Sequence, residues 1–287
     1  MANVIALRKQ YSTLLDEVYK LASLTAVLDG PNELVREGAN ANEILIPKLS
    51  MQGLADYNRQ TGYVAGDVTL EYETKKCAYD RGRMFTIDAM DNIESAGVAF
   101  GRLSGEFLRT KVVPELDAYR LSSYAQIEGV KKVSEDLANG KAALAALRAA
   151  RGAIENAEAN IATCYLFINP TIYGLIEDLD TTASKKAIEG FAGITKVPEG
   201  RFFDKITLSG SGEGGFQKAE GALGMNFLII DKQTAIQYQK HTVTKIISPE
   251  ANQDADAWKF GYRTVGMVEA YDNKKDGIYV HTVAAGA

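Results

Sequence analysis

Histidine and cysteine are scarce in this chain. Its 287 residues include two of each, His241 and His281, and Cys77 and Cys164. Neither histidine stands in a metal-like spacing and both lie in patterns typical of strands, so no metal–histidine or serine–histidine catalytic site is expected. The cysteines are far apart in sequence and form no motif, which favours a reducing cytoplasm over a disulfide-stabilised secreted protein.

Basic charge and long apolar runs are also lacking. With 32 basic and 37 acidic residues the net charge is −5, which provides no basic footprint for nucleic acid. No apolar run approaches the ~20 residues of a membrane helix, and the first residues lack the apolar core of a signal peptide. The hydrophobic content of 46% is that of an ordinary folded protein. The chain is long enough for one large domain or two lobes.

Two further stretches resemble binding motifs but are incomplete. The stretch "GSGEGG" (210–215) is glycine-rich like a phosphate-binding loop, yet it lacks the lysine and the Ser/Thr of that motif, so a surface loop is predicted. Asp254 and Asp256 lack the other ligands of a calcium loop. We therefore expect no catalytic, cofactor-binding or metal-binding residues, no cofactor, and a protein that is not an enzyme.

The N-terminal part predicts a separate helix. Residues 3–24 have the periodicity of an amphipathic helix, with Leu7, Tyr11 and Leu14 in its apolar stripe. A polar linker that contains Gly30 follows the helix. The residues alone leave open whether this helix is a mobile arm or packs on its own domain.

The next stretch predicts a long two-stranded hairpin. In "DVTLEYETKK", Val68, Leu70 and Tyr72 alternate with polar residues, the pattern of a half-buried antiparallel strand, and "EILIPKLSMQG" before it is also typical of an extended chain. The polar, turn-rich stretch 52–66 would form the tip. An isolated hairpin is marginally stable in water, and the chain offers no obvious partner to lie under this one.

A strand over residues 81–90 should lead into a long helix. Asp91 and Glu94 have the spacing of a capping box. The helical pattern runs for ~22 residues, or ~33 Å, until Pro114, which should kink or interrupt it.

The second half predicts helices alternating with apolar strands. These elements are an alanine-rich helix over 140–160, a strand that ends at Asn169 before a helix beginning at Pro170, an apolar strand over 224–231, and late strands within 241–283. The whole pattern indicates an α+β fold with two lobes.

The order of these elements resembles that of a known family. The matching stretches are "FLRTKVVPELDAYRLSSYA" (107–125), "TCYLFINPTIYGLI" (163–176), "GITKVPEGRF" (193–202) and "GYRTVGMVEAYDNKKDGIYV" (261–280). In this order and spacing they are similar to the major capsid proteins of tailed bacteriophages, which have the Hong Kong 97-type shell fold.

The resemblance implies a division of the chain into four parts. The N-terminal arm would reach around another subunit, and the extended β-hairpin loop would lie across a neighbour. The implied boundaries are 1–42 for the arm, 43–85 for the extended loop, 86–130 and 241–275 for the peripheral domain with its spine helix, and 131–240 and 276–287 for the axial domain.

The resemblance also implies the function and the partners. Copies of the chain would assemble through pentamers and hexamers into the icosahedral head of a virion, built in the host cytoplasm around double-stranded DNA, which is held as non-specific content. No membrane is expected as a partner. Because no built-in scaffold of about a hundred extra residues precedes the arm, a separate scaffolding protein or none is expected, with portal and decoration proteins as further partners.

Some family members link subunits covalently through a lysine on the extended loop. Residues 51–74 contain no lysine, and Lys48, Lys75 and Lys76 lie only at the base of the hairpin. A shell without covalent loop cross-links is therefore expected.

Contacts with neighbouring subunits are expected at the arm and at the hairpin. Reversing the charge of the two arginines at the hairpin base should weaken assembly more than subunit stability. The expected contact residues are Tyr57, Arg59 and Tyr63 at the tip, Lys75, Lys76, Arg81 and Arg83 at the base, and Leu7, Tyr11 and Leu14 in the arm.

Two alternatives remain at this stage. An encapsulin-type nanocompartment has the same shell fold but encloses enzymes, and residues 3–24 would then lie inside and offer a groove for cargo peptides. An α/β enzyme is the alternative from another class, which the lack of catalytic groups disfavours.

Overall fold

The computed structural model shows a mixed helix-and-strand fold with one long helix and several sheets. The helix expected over 3–24 lies almost wholly outside the described residues, and so does the capping box expected at Asp91 and Glu94. No helix in the described part of the chain is long and apolar enough to span a membrane. The structure describes residues 22–29, 36–37, 43–60, 62–90, 98–210 and 212–285.

The regular elements follow one another in the order that the sequence predicts, with additional short strands. The strands are β1 (Arg36–Glu37), β2 (Glu43–Met51), β3 (Val68–Lys76), β4 (Tyr79–Asp88), β5 (Lys131–Ser134), β6 (Cys164–Ile168), β7 (Gly193–Lys196), β8 (Ile206–Leu208), β9 (Phe216–Lys218), β10 (Met225–Asp231), β11 (Ala235–Ile247), β12 (Ala257–Ala270) and β13 (Ile278–Thr282). The α-helices are α1 (Val98–Phe107), α2 (Val113–Gln126), α3 (Gly140–Asn156), α4 (Pro170–Glu177) and α5 (Thr182–Ile188).

The long helix predicted from the sequence is present, and we call it the spine helix (98–126). It consists of α1, a π-helical segment (Leu108–Val112) and α2, which follow one another without a break. Pro114 explains the π-helical segment, because proline has no N–H to donate and its ring clashes with the carbonyl four residues back. A wider turn just before the proline accommodates both constraints. The interruption expected at Pro114 is therefore a change of helix type within a continuous helix.

Three antiparallel strands, which we call the long sheet, pack against the spine helix. Their order is β11–β12–β4, and β4 is the strand predicted over 81–90. Phe260 on β12 joins Leu108 and Val112 of the π-helical segment in a buried cluster, with Phe85 and Phe107 packed around it. The aromatic side chains thus attach the sheet to the middle of the helix.

A five-stranded sheet forms the second half of the fold. Its order is β5–β13–β10–β6–β7, with the edge strands β5 and β7 parallel to their neighbours. The central strand β10 is buried along its whole length, because α3 and α4 cover one face and α2 covers the other. The step from strand to helix predicted at Asn169 is confirmed: the side chain of Asn169 caps α4, which begins at Pro170.

The predicted hairpin is formed by β2 and β3, which pair antiparallel from Glu43 with Lys76 to Met51 with Val68. The short strand β1, which the sequence places within a polar linker, adds a third strand at the base. We call β1–β3 the hairpin sheet.

Both histidines lie in strands, as predicted, but their environments differ. His241 is exposed on β11, whereas His281 on β13 is buried and stacks on Phe227 with ring centroids 4.7 Å apart. Nδ1 of His281 lies 3.1 Å from the side-chain nitrogen of Asn226. Since an amide nitrogen only donates, Nδ1 must accept and the ring proton lies on Nε2. Nε2 has no hydrogen-bond partner among the described residues.

Acid is expected to weaken the five-stranded sheet through His281. Burial lowers the pKa of His281 below its ordinary value, so the unfolded chain takes up a proton at a higher pH than the folded chain does. Stability should therefore fall as the pH drops below about 6.5. The unfolding temperature of the unassembled subunit should be measured between about pH 7.5 and about pH 5, a range that includes the ordinary pKa of histidine. The decrease of that temperature with falling pH should be smaller for His281→Gln than for the unmodified chain. His241→Gln is the control, and an unchanged slope in His281→Gln would contradict the prediction.

Candidate assembly surfaces

The hairpin sheet has one apolar face, and its strand register defines that face. Leu49 pairs with Leu70 and Met51 pairs with Val68, while Pro47 pairs with Tyr72. Paired residues of neighbouring strands point to the same side. The opposite face carries mainly charged and hydroxyl side chains beyond the buried base.

The apolar face is exposed to solvent over the outer part of the hairpin. The side chains of Val68 and Leu70 are 69% and 56% exposed, and Met51 is 64% exposed. The sequence pattern predicted a strand with one buried face. Within a single chain, the apolar face that should be buried is exposed to solvent. Contiguous apolar surface of this kind marks an interaction site in a soluble protein.

The turn-rich tip extends this exposed surface. Tyr57 and Tyr63 contact each other edge to face, with ring centroids 4.9 Å apart, and both rings are largely exposed. Leu54 is fully exposed, and Arg59 is exposed beside the isolated bridge between Asn58 and Gly62. The expectation that the tip contacts a neighbouring subunit stays a prediction.

The base of the hairpin, in contrast, has a partner in its own chain. Ile44 and Ile46 are buried with Ile236 and Met267 of the long sheet. Because alternate residues of β2 face opposite ways, these isoleucines lie on the polar side of the hairpin. The sequence interpretation that the chain offers no partner for the hairpin is thus wrong for its base and applies only to the outer part.

Polar contacts reinforce the base on the same side. Lys48 Nζ lies 3.0 Å from Asp272 Oδ2, and the Asn273 side chain donates to the carbonyl of Leu49 at 3.0 Å. The neighbouring ammonium groups of Lys275 and Lys48 lower the pKa of Asp272 to about 2, so this carboxylate stays charged at any ordinary pH.

The two lysines at the end of β3 differ in their surroundings. Lys75 lies 2.8 Å from Glu73 and 4.0 Å from Glu269 of the long sheet, and Lys76 is exposed. Their contact with another subunit stays a prediction.

Arg81 is held within the subunit by the spine helix and by the glycine-rich loop between β8 and β9. Its Nε and Nη2 donate to the two carboxylate oxygens of Glu115 at 2.7 and 3.2 Å. Its Nη1 and Nη2 also donate to the carbonyls of Ser209 and Gly215 at 2.7 and 3.3 Å. Tyr79 donates to Glu115 as well, at 3.1 Å. This bidentate pair is specific and partly buried.

Arg83 makes a simpler contact with the same loop. Its Nη2 donates to the carbonyl of Gly212 at 2.6 Å, and its side chain is exposed. The backbone at Gly212, Gly214 and Gly215 has positive φ angles of 66°, 70° and 84°, which glycine adopts without strain. The glycine-rich loop was predicted to be a surface loop, and its backbone carbonyls accept hydrogen bonds from Arg81 and Arg83.

Replacing Arg81 should destabilise the subunit. Arg81→Ala removes four hydrogen bonds and leaves the buried Glu115 with Tyr79 as its remaining side-chain donor, a loss of about 2–3 kcal/mol. Arg83→Ala should cost less than about 1 kcal/mol, because an exposed contact contributes little. Urea unfolding of the unassembled subunit measures both. Equal losses for the two variants would contradict this structural role of Arg81, and the contact of both arginines with another subunit stays a prediction.

A buried carboxylate on the spine helix holds the start of the described chain. Asp117 is fully buried and accepts hydrogen bonds from Ser23 Oγ at 2.8 Å, from Leu24 N at 2.9 Å, and from Thr25 N and Oγ1 at 3.2 and 2.6 Å. Arg201 Nη1 lies 3.5 Å from the same carboxylate. We call residues 22–29 the anchor segment.

The anchor segment makes further buried contacts. Arg120 donates to Thr25 Oγ1 at 3.1 Å and lies 3.3 Å from Asp29 Oδ1. The Gln237 side chain donates to the carbonyl of Thr25 at 3.0 Å, and Leu28 is buried in the cluster between the spine helix and the five-stranded sheet. The anchor segment is therefore an integral part of the subunit core.

The remaining predicted residues are placed as follows. Leu7, Tyr11 and Leu14 lie outside the described residues. Asp254 forms an ion pair with Lys259. In the described ranges no three histidine, cysteine or acidic side chains are grouped so as to hold a metal ion.

Sequence reasoning missed Glu115, Asp117 and Arg120. In sequence they resemble the solvated side of a helix, and their partners lie 34 to 95 residues away. The only sequence signal is indirect: three charged residues fall within six positions of a stretch whose other members are mostly apolar or small.

Comparisons with known proteins identify the fold. No protein-family model and no curated protein matches the chain. The capsid of the cyanophage P-SCSP1u matches with a TM-score of 0.56 and 11% identity, over 88% of this chain and 86% of that chain. The capsid of the Myoviridae phage XM1 matches with a TM-score of 0.54 and 12% identity, over 91% and 92%. A virus-like particle from Pyrococcus furiosus matches with a TM-score of 0.55 and 14% identity, over 94% and 96%.

The matches define a class of structure: the chain has an α+β shell fold. More particularly, it is the Hong Kong 97-type fold of the major capsid proteins of tailed phages, as the sequence resemblance predicted. Identities of 11 to 14% establish the fold and no more.

Proposed function

We propose that this chain is the major capsid protein of a tailed bacteriophage and assembles through pentamers and hexamers into an icosahedral head around double-stranded DNA. The observation that carries the proposal is the exposed apolar face of the hairpin sheet around Leu49, Met51, Val68 and Leu70. In a shell of identical subunits every copy presents this face, and another copy is the partner available to cover it.

The two main parts of the fold support different roles in the assembled shell. The spine helix with the long sheet would form the peripheral domain, and the five-stranded sheet would form the axial domain that meets at the five- and sixfold centres. The proposed boundaries remain 1–42, 43–85, 86–130 with 241–275, and 131–240 with 276–287. Within the first range, residues 22–29 are anchored to their own spine helix.

The shell is proposed to be held by non-covalent contacts. Residues 51–74 offer no lysine for a covalent link. A separate scaffolding protein, a portal and decoration proteins are proposed partners, with the virion as the final location after assembly in the host cytoplasm. A net charge of −5 is consistent with DNA as content that the shell does not bind specifically. The proposal includes no enzymatic activity.

Several phage capsids among the matched structures favour a phage head over an encapsulin-type compartment. The test is expression of the chain in bacteria, followed by sedimentation and negative-stain electron microscopy. We expect closed particles or rings of five and six subunits that dissociate into single chains in denaturing gels. Particles that enclose a co-expressed enzyme through a peptide tag would favour the encapsulin alternative. A chain that stays monomeric both alone and with candidate scaffolding proteins would overturn the proposal.

A further inference from the structure

A pocket of about 350 Å³ lies at the base of the hairpin, between its two strands and the turn that follows β12, and we call it the base pocket. Most of its lining surface is carbon, and lysine, acidic and amide groups complete its rim. The apolar lining residues are Ile46, Pro47, Leu49 and Leu70 of the hairpin, with Ala270 and Tyr271. A pocket of this size and lining is suited to binding an apolar group.

The charges at the rim of the base pocket leave one cation without a carboxylate. The two rim carboxylates, Glu73 and Asp272, each lie within 3.0 Å of a lysine ammonium group. The Nζ of Lys274, in contrast, lies 5.9 Å from the centre of the Tyr271 ring and forms no ion pair with a carboxylate of the described residues. Because charge complementarity selects the partner of a site, the rim favours an occupant that carries a carboxylate close to an apolar side chain.

The hairpin tip (52–60 and 62–67) carries this combination of groups. Leu54 is fully exposed, and Tyr63 is 90% exposed. Asp56, two residues after Leu54, is exposed and forms no ion pair with a basic group of the described residues. The tip therefore offers an apolar side chain and a nearby carboxylate, which are the two groups that the base pocket and its rim favour.

The tip that fills the base pocket must come from another copy of the chain. Strands β2 and β3 are paired as far as Met51 and Val68, which lie between the pocket and the tip. This paired part holds Leu54 away from the pocket of its own chain, in agreement with its full exposure. Since each chain has one tip and one base pocket, the contact between them joins copies head to tail and closes a ring where the rotation allows it.

We propose that the hairpin tip of one copy docks in the base pocket of the next copy, with Leu54 inside the pocket and Asp56 beside Lys274. This contact rests on the proposed assembly of identical chains, and it names the surface of the neighbour that receives the tip. Leu49 and Leu70 line the base pocket and also belong to the apolar face of the hairpin sheet. The docked tip therefore covers the inner end of that face.

Photo-cross-linking within assembled particles tests where the tip lies. An unlabelled chain with p-benzoylphenylalanine in place of Leu54 is assembled with an equal amount of isotope-labelled, unmodified chain and irradiated. Mass spectrometry should find the photo-reactive group joined to labelled peptides that contain Leu70 or Lys274, whereas the same group in place of Glu128, outside the hairpin, should not reach them. Closed particles with links elsewhere would overturn this contact and leave the proposed function intact. A chain that does not assemble would overturn both.

A charge exchange tests the pairing of Asp56 with Lys274. Lys274→Glu in the labelled chain should lower the yield of the link by about fivefold, the effect expected for an exposed ion pair. Asp56→Lys in the photo-reactive chain should restore the yield against Lys274→Glu. Lys141→Glu, at an exposed lysine on α3, is the matched control and should leave the yield unchanged. Equal yields for Lys274→Glu and Lys141→Glu, or no recovery with Asp56→Lys, would overturn the proposal.

Discussion

Asp117→Ala is expected to destabilise the unassembled subunit by about 3–5 kcal/mol, the range for breaking a buried charged network. The carboxylate is the shared acceptor for two backbone N–H groups and two hydroxyls of the anchor segment. Without it these donors lose their acceptor where little water can replace it, at a cost of about 1–3 kcal/mol for each buried group. Thermal unfolding should show a decrease in Tm of roughly 10 °C for a chain of this size.

Three further variants separate the anchor from a general effect on the helix. Asp117→Asn keeps the shape and one acceptor oxygen, so it should recover only part of the loss. Ser23→Ala removes one hydrogen bond and should cost about 1 kcal/mol. Glu128→Gln changes an exposed carboxylate just beyond the helix end and should be neutral. A loss below about 1 kcal/mol in Asp117→Ala would show that the anchor does not stabilise the subunit.

The anchor also shows why this part of the fold escaped prediction. Helix periodicity predicted the spine helix, because that signal lies within the segment itself. The role of Asp117 depends on residues 92 to 94 positions away, and no local pattern records that separation. An aspartate in a helix usually faces solvent, so the sequence favoured the wrong surroundings for this one.

The π-helical segment was only partly predictable from the sequence. The missing N–H of Pro114 predicts a disturbance at that point. Whether the helix stops, kinks or widens depends on what packs around it. Here Leu108 and Val112 are held against Phe260 of the long sheet, which favours a continuous helix.

The hairpin shows a different limit of sequence reasoning. Alternation correctly predicted that Val68, Leu70 and Tyr72 share a face. An apolar face requires a cover, but alternation does not say which molecule supplies it. The isoleucines at the base are covered by the same chain, whereas the outer part of the apolar face is open in the single subunit. That contrast leads to the last prediction.

Shortening the hairpin is expected to abolish closed shells while leaving the subunit folded. The described residues of 52–67 contribute no side chain to the buried core, so replacing 52–67 with a two-residue Asn-Gly turn between the paired Met51 and Val68 removes exposed surface alone. The unfolding temperature should stay within about 2 °C, which corresponds to less than ~1 kcal/mol. Sedimentation velocity and negative-stain electron microscopy of the same sample should show subunits or small rings without closed particles.

A point substitution makes the same test on the strand itself. Leu70→Asp places a charge in the middle of the apolar face, where its burial against another subunit would cost several kcal/mol in each of the many repeated contacts of a shell. Thr69→Asp, the neighbouring residue on the polar face, is the matched control and should still assemble. Both side chains are exposed in the single subunit, so neither change should alter its stability. Closed particles from Leu70→Asp, or equal failure of Thr69→Asp, would exclude the apolar face as the contact that joins subunits.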